Sequence, residues 1–452
     1  MTYDWITPFQ YEEFEFDGAY IVGSCDGYKL LLSRQGTIII LNDDLIASLF
    51  NKKPNIDLQI KLLQRFIAST ADKPLEPNAP QLKPRYFIID LTDNCNFDCC
   101  YCFRDLHKKR SISEESLELI IKYILSFCEK EHISRIGVQL WGGEPILELN
   151  KIGVICRKFQ ESPIKVSVDL ETNASLITDD VAKELFELGV HVGVSIDGTQ
   201  KLHNIQRRYA SGDESFHDVV KGVENLRKYY HNNIGGITVV TKHNVDFASD
   251  ILRYYIFELS LSGIKFNVVR DNRYAKEKQL VPSLEQVSMF YKQIFEDVVA
   301  YHRMGIRFIE AGMQTRLENL LYSSRKDCCV SQGCTGGQAI ISIDQSGDIY
   351  PCEMTDFQEE KISTIKDEPN FLLGKISEKS SDSNYYRIKF KKDCKNCPWH
   401  FFCRGGCASR IQYQGSGTVD EFECVVNQTL YPLLSDLILR EPNIAYSMIN
   451  ER

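Results

Sequence analysis

No stretch of this 452-residue chain is apolar over a length that could span a bilayer, and its first residues lack the charged, apolar and small-residue pattern of a secretory signal. A cytoplasmic protein that makes no use of a membrane is the expectation. Positive charge is not in excess either: 53 Lys and Arg stand against 62 Asp and Glu, a formal net charge of −9. That balance gives no long-range pull on nucleic acid and no polybasic patch for anionic lipid. Internal repeats and low-complexity tracts are also missing, which sets aside solenoid architectures. Cysteine, by contrast, is abundant, with 16 residues. In a reducing compartment such a number points to metal ligands before disulfides. The placement is uneven, with four cysteines between Cys95 and Cys102 and nine between Cys328 and Cys424. Cys25, Cys128 and Cys156 stand alone and read as small apolar residues of the interior.

The first group is Cys95-x3-Cys99-x2-Cys102, directly after the apolar run Tyr86 to Leu91. Three thiolates on one tight loop can hold three irons of a cubane and leave the fourth without a protein ligand. A zinc site is the competing reading, but structural zinc takes four closed ligands and commonly pairs its cysteines as Cys-x2-Cys.

The apolar runs that follow alternate with helical patterns. Strands are expected at Tyr86 to Leu91, Ile136 to Leu140, Ile164 to Leu170, Val190 to Ile196, Gly236 to Thr241 and Lys265 to Val269. Helices are expected at Ser113 to Cys128, Asp179 to Leu188, Ser215 to Tyr229 and Val245 to Leu259. Six such units predict an α/β fold with a parallel sheet and a reactive site at the carboxyl ends of the strands.

The triplet, with Tyr101 before its last cysteine, resembles that of the radical S-adenosylmethionine (SAM) superfamily, and the resemblance extends further. The second strand ends in Trp141-Gly142-Gly143-Glu144-Pro145, similar to the family's Gly-Gly-Glu-Pro motif. The third ends in Glu171-Thr172-Asn173-Ala174 and the fourth in Ser195-Ile196-Asp197-Gly198, positions that in the family face the ribose or the substrate. The resemblance implies a partial (β/α)6 barrel in which Gly142, Gly143 and Glu144 hold the SAM amino group. Asn173 and Ser195 would lie toward the ribose or substrate, and Arg207 would bind the carboxylate. A guanidinium suits that last role because it can grip a carboxylate with two parallel hydrogen bonds.

The second cysteine group runs Cys328-x5-Cys334, then Cys352, then Cys394-x2-Cys397-x5-Cys403-x3-Cys407, and Cys424. It resembles the SPASM domain, an accessory module carrying two further 4Fe-4S clusters. By that resemblance Cys328, Cys334, Cys352 and Cys407 would ligate the inner auxiliary cluster, and Cys394, Cys397, Cys403 and Cys424 the outer one. Cys100 and Cys329 fall outside the pattern. A zinc ribbon is the alternative for Cys394 to Cys424. Glu353 follows Cys352 where sulfatase maturases of this architecture carry an aspartate that serves as base, which makes Glu353 the candidate general base.

The N-terminal part reads as strand, turn, strand, turn, helix, helix. Tyr20 to Gly23, Tyr28 to Leu32 and Thr37 to Leu41 are β-rich runs broken by Asp26-Gly27 and Gln35-Gly36, and helices are expected at Asp44 to Phe50 and Asp57 to Ala68. This α+β unit resembles the winged-helix-like element that binds the leader of ribosomally made precursor peptides as an added strand. A packing extension of the barrel is the alternative. Asp72 to Pro84, with four prolines, reads as a linker.

Three parts are therefore expected: 1–75, a peptide-recognition domain; 76–310, the barrel; and 311–452, a bridge, the SPASM module and a C-terminal helix. The expected activity is radical SAM oxidation of a precursor peptide, forming a thioether or carbon–carbon cross-link, with three 4Fe-4S clusters, SAM and an external electron donor. Formylglycine formation on a sulfatase is the alternative within the enzyme class. A non-enzymatic metal-binding peptide scaffold is the alternative outside it.

Overall fold

A computed structural model describes residues 19–33, 35–43, 83–104, 109–231, 233–270, 279–323, 329, 334–355, 360–382, 394, 397–414 and 419–449. The helices expected at 44–50 and 57–68, most of the linker, and Cys328 lie outside the described residues.

Six parallel strands carry the fold: β4 (Tyr86–Thr92), β5 (Arg135–Gly142), β6 (Lys165–Thr172), β7 (Val190–Ser195), β8 (Gly235–Val240) and β9 (Gly263–Val268). They lie side by side in chain order, each paired parallel to the next. The architecture is the α/β fold with a parallel sheet expected from the alternation. Val138 and Leu140 of β5, Val168 and Leu170 of β6, and Val192 and Val194 of β7 are buried in the main core beneath the helices. The alternate residues, Gln139 and Trp141, Asp169 and Glu171, Gly193 and Ser195, share the opposite, partly open face of the sheet. That inner face mixes polar side chains with a few apolar ones such as Trp141 and the buried Ile88 of β4, which pairs with Gln139.

Local signals set the helix starts. Ser113 caps the helix Glu114–Lys130 by accepting from the Ser116 amide at 3.0 Å, and Thr178 caps Asp179–Glu187. Ser283 and Gln286 form a reciprocal capping box on Leu284–Arg303. One helix, Phe216–Tyr230, approaches the loop after β6 so closely that a Cβ on Gly222 would collide with the Ala174 carbonyl oxygen.

Both edges of the sheet are extended by later chain. A two-residue strand, β10 (Ile309–Glu310), pairs parallel with β9. At the other edge β11 (Ile340–Ile343) pairs parallel with β4, followed by the antiparallel β12 (Asp348–Tyr350) and β13 (Ser363–Thr364). The sheet thus runs unbroken from the barrel into the cysteine-rich C-terminal region, which places Cys352 two residues beyond a strand joined to the barrel.

The N-terminal strands β1 (Ala19–Cys25), β2 (Tyr28–Ser33) and β3 (Ile38–Asn42) form a separate antiparallel sheet in that order. Its first hairpin turns through Asp26 and Gly27, both at positive φ. Tyr20, Val22, Leu30 and Leu32 join the same core as Leu434, Leu437 and Ile438 of the helix Glu421–Arg440, and Gly23 lies against Leu439. Among the described residues no helix is long and apolar enough to cross a membrane.

Candidate functional site

The loop after β4 is fastened before its cysteines begin. Thr92 bonds Ser111 at 2.8 Å and the Arg110 carbonyl at 3.2 Å, and the Asp93 amide reaches Arg110 O at 2.7 Å. Beyond that root the chain is strapped by the segment after the helix Gln200–Gln206: Cys100 N donates to Gln206 O at 2.9 Å, and Asp98 N to Arg208 O at 2.8 Å. Phe97, 1% exposed, plugs the loop into the core. The residue between the two straps is Arg207, which is thereby aimed at the thiols.

Burial pushes the Cys95 thiol up to about 11 and also raises Cys99 and Cys102, while the Arg207 charge pulls all three the other way. Such thiols give up their protons when a metal replaces them. The three lie within electrostatic reach of one another, yet among the described residues no three His, Cys, Asp or Glu side chains converge on a single ion position.

Arg207 is 8% exposed and anchored at one end only. Its Nη1 donates to the Tyr101 hydroxyl at 2.6 Å, Tyr101 donates to Asp197 Oδ2 at 2.6 Å, and Asp197 Oδ1 accepts from the Val239 amide at 2.9 Å. The guanidinium also lies over the Phe97 ring. Its Nε is buried without a hydrogen-bond partner. An orphaned guanidinium N–H beside the three thiols is what an incoming carboxylate would satisfy, so the residues present fit SAM. Asp197, at the centre of this chain of bonds, lies two residues after β7, among the strand-end positions expected to face the ribose or the substrate.

The Gly-Gly-Glu-Pro turn presses on the same loop. Gly143 N donates to Thr92 O at 2.7 Å and Glu144 N to Asn94 O at 2.8 Å. A Cβ on Gly143 would strike the Asn94 carbonyl, and one on Gly142 would come within 2.7 Å of Thr92 O. The Glu144 carboxylate, 1% exposed, is engaged on both oxygens: Oε1 accepts from Thr172 Oγ1 at 2.6 Å and Ile146 N at 3.1 Å, Oε2 from Asn173 N at 2.8 Å. Glu144 therefore ties the end of β5 to the end of β6. The Asn173 side chain bridges onward, donating to Asn96 Oδ1 at 2.8 Å and accepting from Ser175. Ser195 ends β7 on the inner face.

Two further cysteine groups lie beyond the barrel. Cys352 feels the charges of Cys334 and Cys407, and its thiol is raised by burial. Cys328, the fourth member expected there, is outside the described residues, while the neighbouring Cys329 is exposed. In the other group the Cys397 amide donates to Cys394 O, and Cys397 Sγ accepts from Gln428, one helical turn past Cys424 on Glu421–Arg440. Cys403 lies within electrostatic reach of Cys424. Trp399, fully buried and stacked on Tyr431 at 5.0 Å, fixes this end of the chain to the same helix. Glu353, beside Cys352, bears electrostatically on Glu171 of β6, so the C-terminal region reaches the inner face of the barrel.

Residues 89–254 match the model of the Radical SAM superfamily. The cysteine-type anaerobic sulfatase-maturating enzyme of Clostridium perfringens (strain 13 / Type A) is 27% identical over 340 residues, 71% of this chain and 87% of its own length. The serine-type enzyme of Bacteroides thetaiotaomicron is 26% identical over 356 residues, 73% of this chain and 84% of its own. Among solved structures, native anSMEcpe with bound AdoMet superposes with a TM-score of 0.68 at 23% identity, covering 81% of this chain and 100% of that one. Streptococcus suis SuiB bound to S-adenosylmethionine gives 0.55 at 15% identity, covering 87% and 95%. At such identities the structural likeness speaks for the fold.

Proposed function

We propose that this chain, whose residues 89–254 match the Radical SAM superfamily, is a radical SAM enzyme that oxidises a peptidyl cysteine or serine side chain by two electrons, as in sulfatase maturation. The observation that carries the proposal is the buried Arg207 Nε without a partner, in a guanidinium whose charge bears on three thiols of a loop that Gly143, Glu144 and Asn173 hold in place. The relatives named as sulfatase maturases, matched over most of their length, favour this substrate class over the cross-linking expected from the sequence.

In this reading Cys95, Cys99 and Cys102 hold the cluster that binds SAM, and Arg207 orients the SAM carboxylate. Gly142 and Gly143 let the backbone approach the amino group, while Glu144 and Asn173 keep that backbone in place. Ser195 and Tyr101 border the same space. Cys328, Cys334, Cys352 and Cys407 hold one auxiliary cluster, and Cys394, Cys397, Cys403 and Cys424 the other. When bound, these groups would supply a 5′-deoxyadenosyl radical able to abstract a hydrogen atom from the substrate Cβ, and an acceptor for the electron left behind. Glu353 takes the thiol or hydroxyl proton, so one hydrogen atom, one proton and one electron leave the substrate. Serine then yields the aldehyde directly, and cysteine a thioaldehyde that water hydrolyses to the aldehyde with release of hydrogen sulfide. The proposed parts are 1–75, 76–310 and 311–452, working in the cytoplasm with an external electron donor.

Anoxic incubation with SAM, dithionite and a sulfatase-motif peptide, read by mass spectrometry, tests the proposal. Aldehyde formation supports it. SAM cleavage with every such peptide unchanged contradicts it.

A second reading, cross-linking of a ribosomally made precursor, is favoured by the separate sheet β1–β3, whose edge strand β3 leaves Ile40 44% exposed. A leader peptide could add to that edge. Two hydrogens lost from a leader-bearing precursor, but not from its core alone, would select this reading.

A further inference from the structure

We propose that the inner face of the barrel holds a subsite for a cationic substrate side chain, with the Glu171 carboxylate as its specificity-determining group. The inference rests on the reading of peptides as substrates and deepens it.

Strand register brings the parts together. Asp90 of β4 pairs with Trp141 of β5, and the pairing of Leu140 with Leu170 puts Trp141 beside Glu171. Glu171 pairs with Gly193, and Gly193 with Gly235. One row across the sheet thus carries an aromatic, a carboxylate and then two residues without side chains. A Cβ on Gly235 would meet nothing within 4 Å, and one on Gly193 nothing closer than 3.6 Å. The glycines leave room beside Glu171 that a larger residue would fill. From the C-terminal region Glu353 adds a second acidic group to the same space.

An aromatic face with two carboxylates is a recognition set for ammonium or guanidinium, because ring quadrupole and carboxylate charge both favour a cation. Gln139 supports the Glu171 carboxylate by a hydrogen bond from β5, and the exposed Lys265 on β9 attracts it. An exposed ammonium gives up such an attraction at little cost to a cation brought by the substrate. Neighbouring Asp169, by contrast, is already engaged by Tyr86 at 3.1 Å and His191 at 3.1 Å. Burial pushes the Glu171 carboxyl up to about 7, a poise from which an arriving cation stabilises the charged form.

The test uses anoxic, cluster-reconstituted enzyme with SAM and no reductant, so that binding is read apart from chemistry. Fluorescence anisotropy would compare otherwise identical peptides with a central cysteine and lysine, methionine or glutamate at each flanking position. At one position the wild type should bind the lysine peptide about tenfold more tightly than the methionine peptide. Glu171→Gln should reduce that preference below about twofold, and Glu171→Lys should turn it toward glutamate. Iron content and circular dichroism would certify that each variant is folded. A wild type indifferent to charge, a wild type that binds no peptide, or a folded Glu171→Gln that keeps the full preference would overturn the subsite. A retained preference with no peptide converted after reduction would instead count against the proposed reaction alone.

Discussion

Arg207 and Tyr101, 106 positions apart in the chain, meet at 2.6 Å, and the contact ties the segment after the helix Gln200–Gln206 to the cysteine loop. Tyr101 in turn donates to Asp197 Oδ2 at 2.6 Å, so one chain of hydrogen bonds through two further loops holds the guanidinium. Positioning by a hydrogen-bonded chain of this kind is worth more than its separate links.

Replacing Arg207 by lysine keeps the charge but loses the fork. SAM affinity, measured by anoxic equilibrium dialysis, should fall by about tenfold or more, since a charge-assisted hydrogen bond contributes about 1.5–3 kcal/mol. Asp197→Asn should produce a smaller loss, because Arg207 would keep its own contact with Tyr101. An Arg207→Lys variant with wild-type SAM affinity would remove the guanidinium from the binding site.

Glu144→Ala should be more damaging to the fold than to any single ligand contact. It strands the donors of Thr172, Ile146 and Asn173 inside the protein. Breaking such a buried carboxylate network costs about 3–5 kcal/mol. A marked drop in melting temperature, with reduced cluster retention, is expected in anoxic calorimetry.

The three cysteine groups should be separable by iron analysis. Wild-type protein prepared without oxygen should be brown and hold about twelve irons, and a variant with Cys95, Cys99 and Cys102 all changed to alanine should lose about four. Its remaining colour would then belong to the C-terminal groups. A colourless, zinc-containing wild type would contradict the cluster assignment.

Glu171 gives stability a defined pH dependence. Its folded-state pKa is raised from 4.5 to about 7, mainly by burial, so the folded protein binds the extra proton between those values. The associated stabilisation is complete below about 4.5 and disappears as pH rises through about 7. Glu171→Gln should therefore gain melting temperature relative to wild type above pH 7 and lose that advantage below pH 5. An offset independent of pH would show that Glu171 does not titrate in this window.

Much of the barrel was legible because its strands are short apolar runs separated by amphipathic helices, two of them with side-chain caps at Ser113 and Thr178. The six expected strands differ from β4 to β9 by one or two residues at their ends. The additions at the sheet edges were not legible. β11 is buried at all four positions, so it shows no alternation, and its pairing with β4 joins segments some 250 residues apart. Motif spacing likewise located Glu144 and Asn173 but could not say where their hydrogen bonds go. That depends on the approach of β5, β6 and the cysteine loop, which is set by tertiary packing. Glu171 was legible as a strand-end residue facing the ribose or the substrate, but not its neighbours Trp141 and Gly193, which come from other strands.

The most direct test of the central claim is anoxic reaction of the reconstituted enzyme with SAM and dithionite, followed by quantitation of 5′-deoxyadenosine in the wild type and in Cys99→Ala. The account predicts 5′-deoxyadenosine from the wild type and none above background from the variant. Equal amounts from both, or none from an iron-replete wild type, would contradict it.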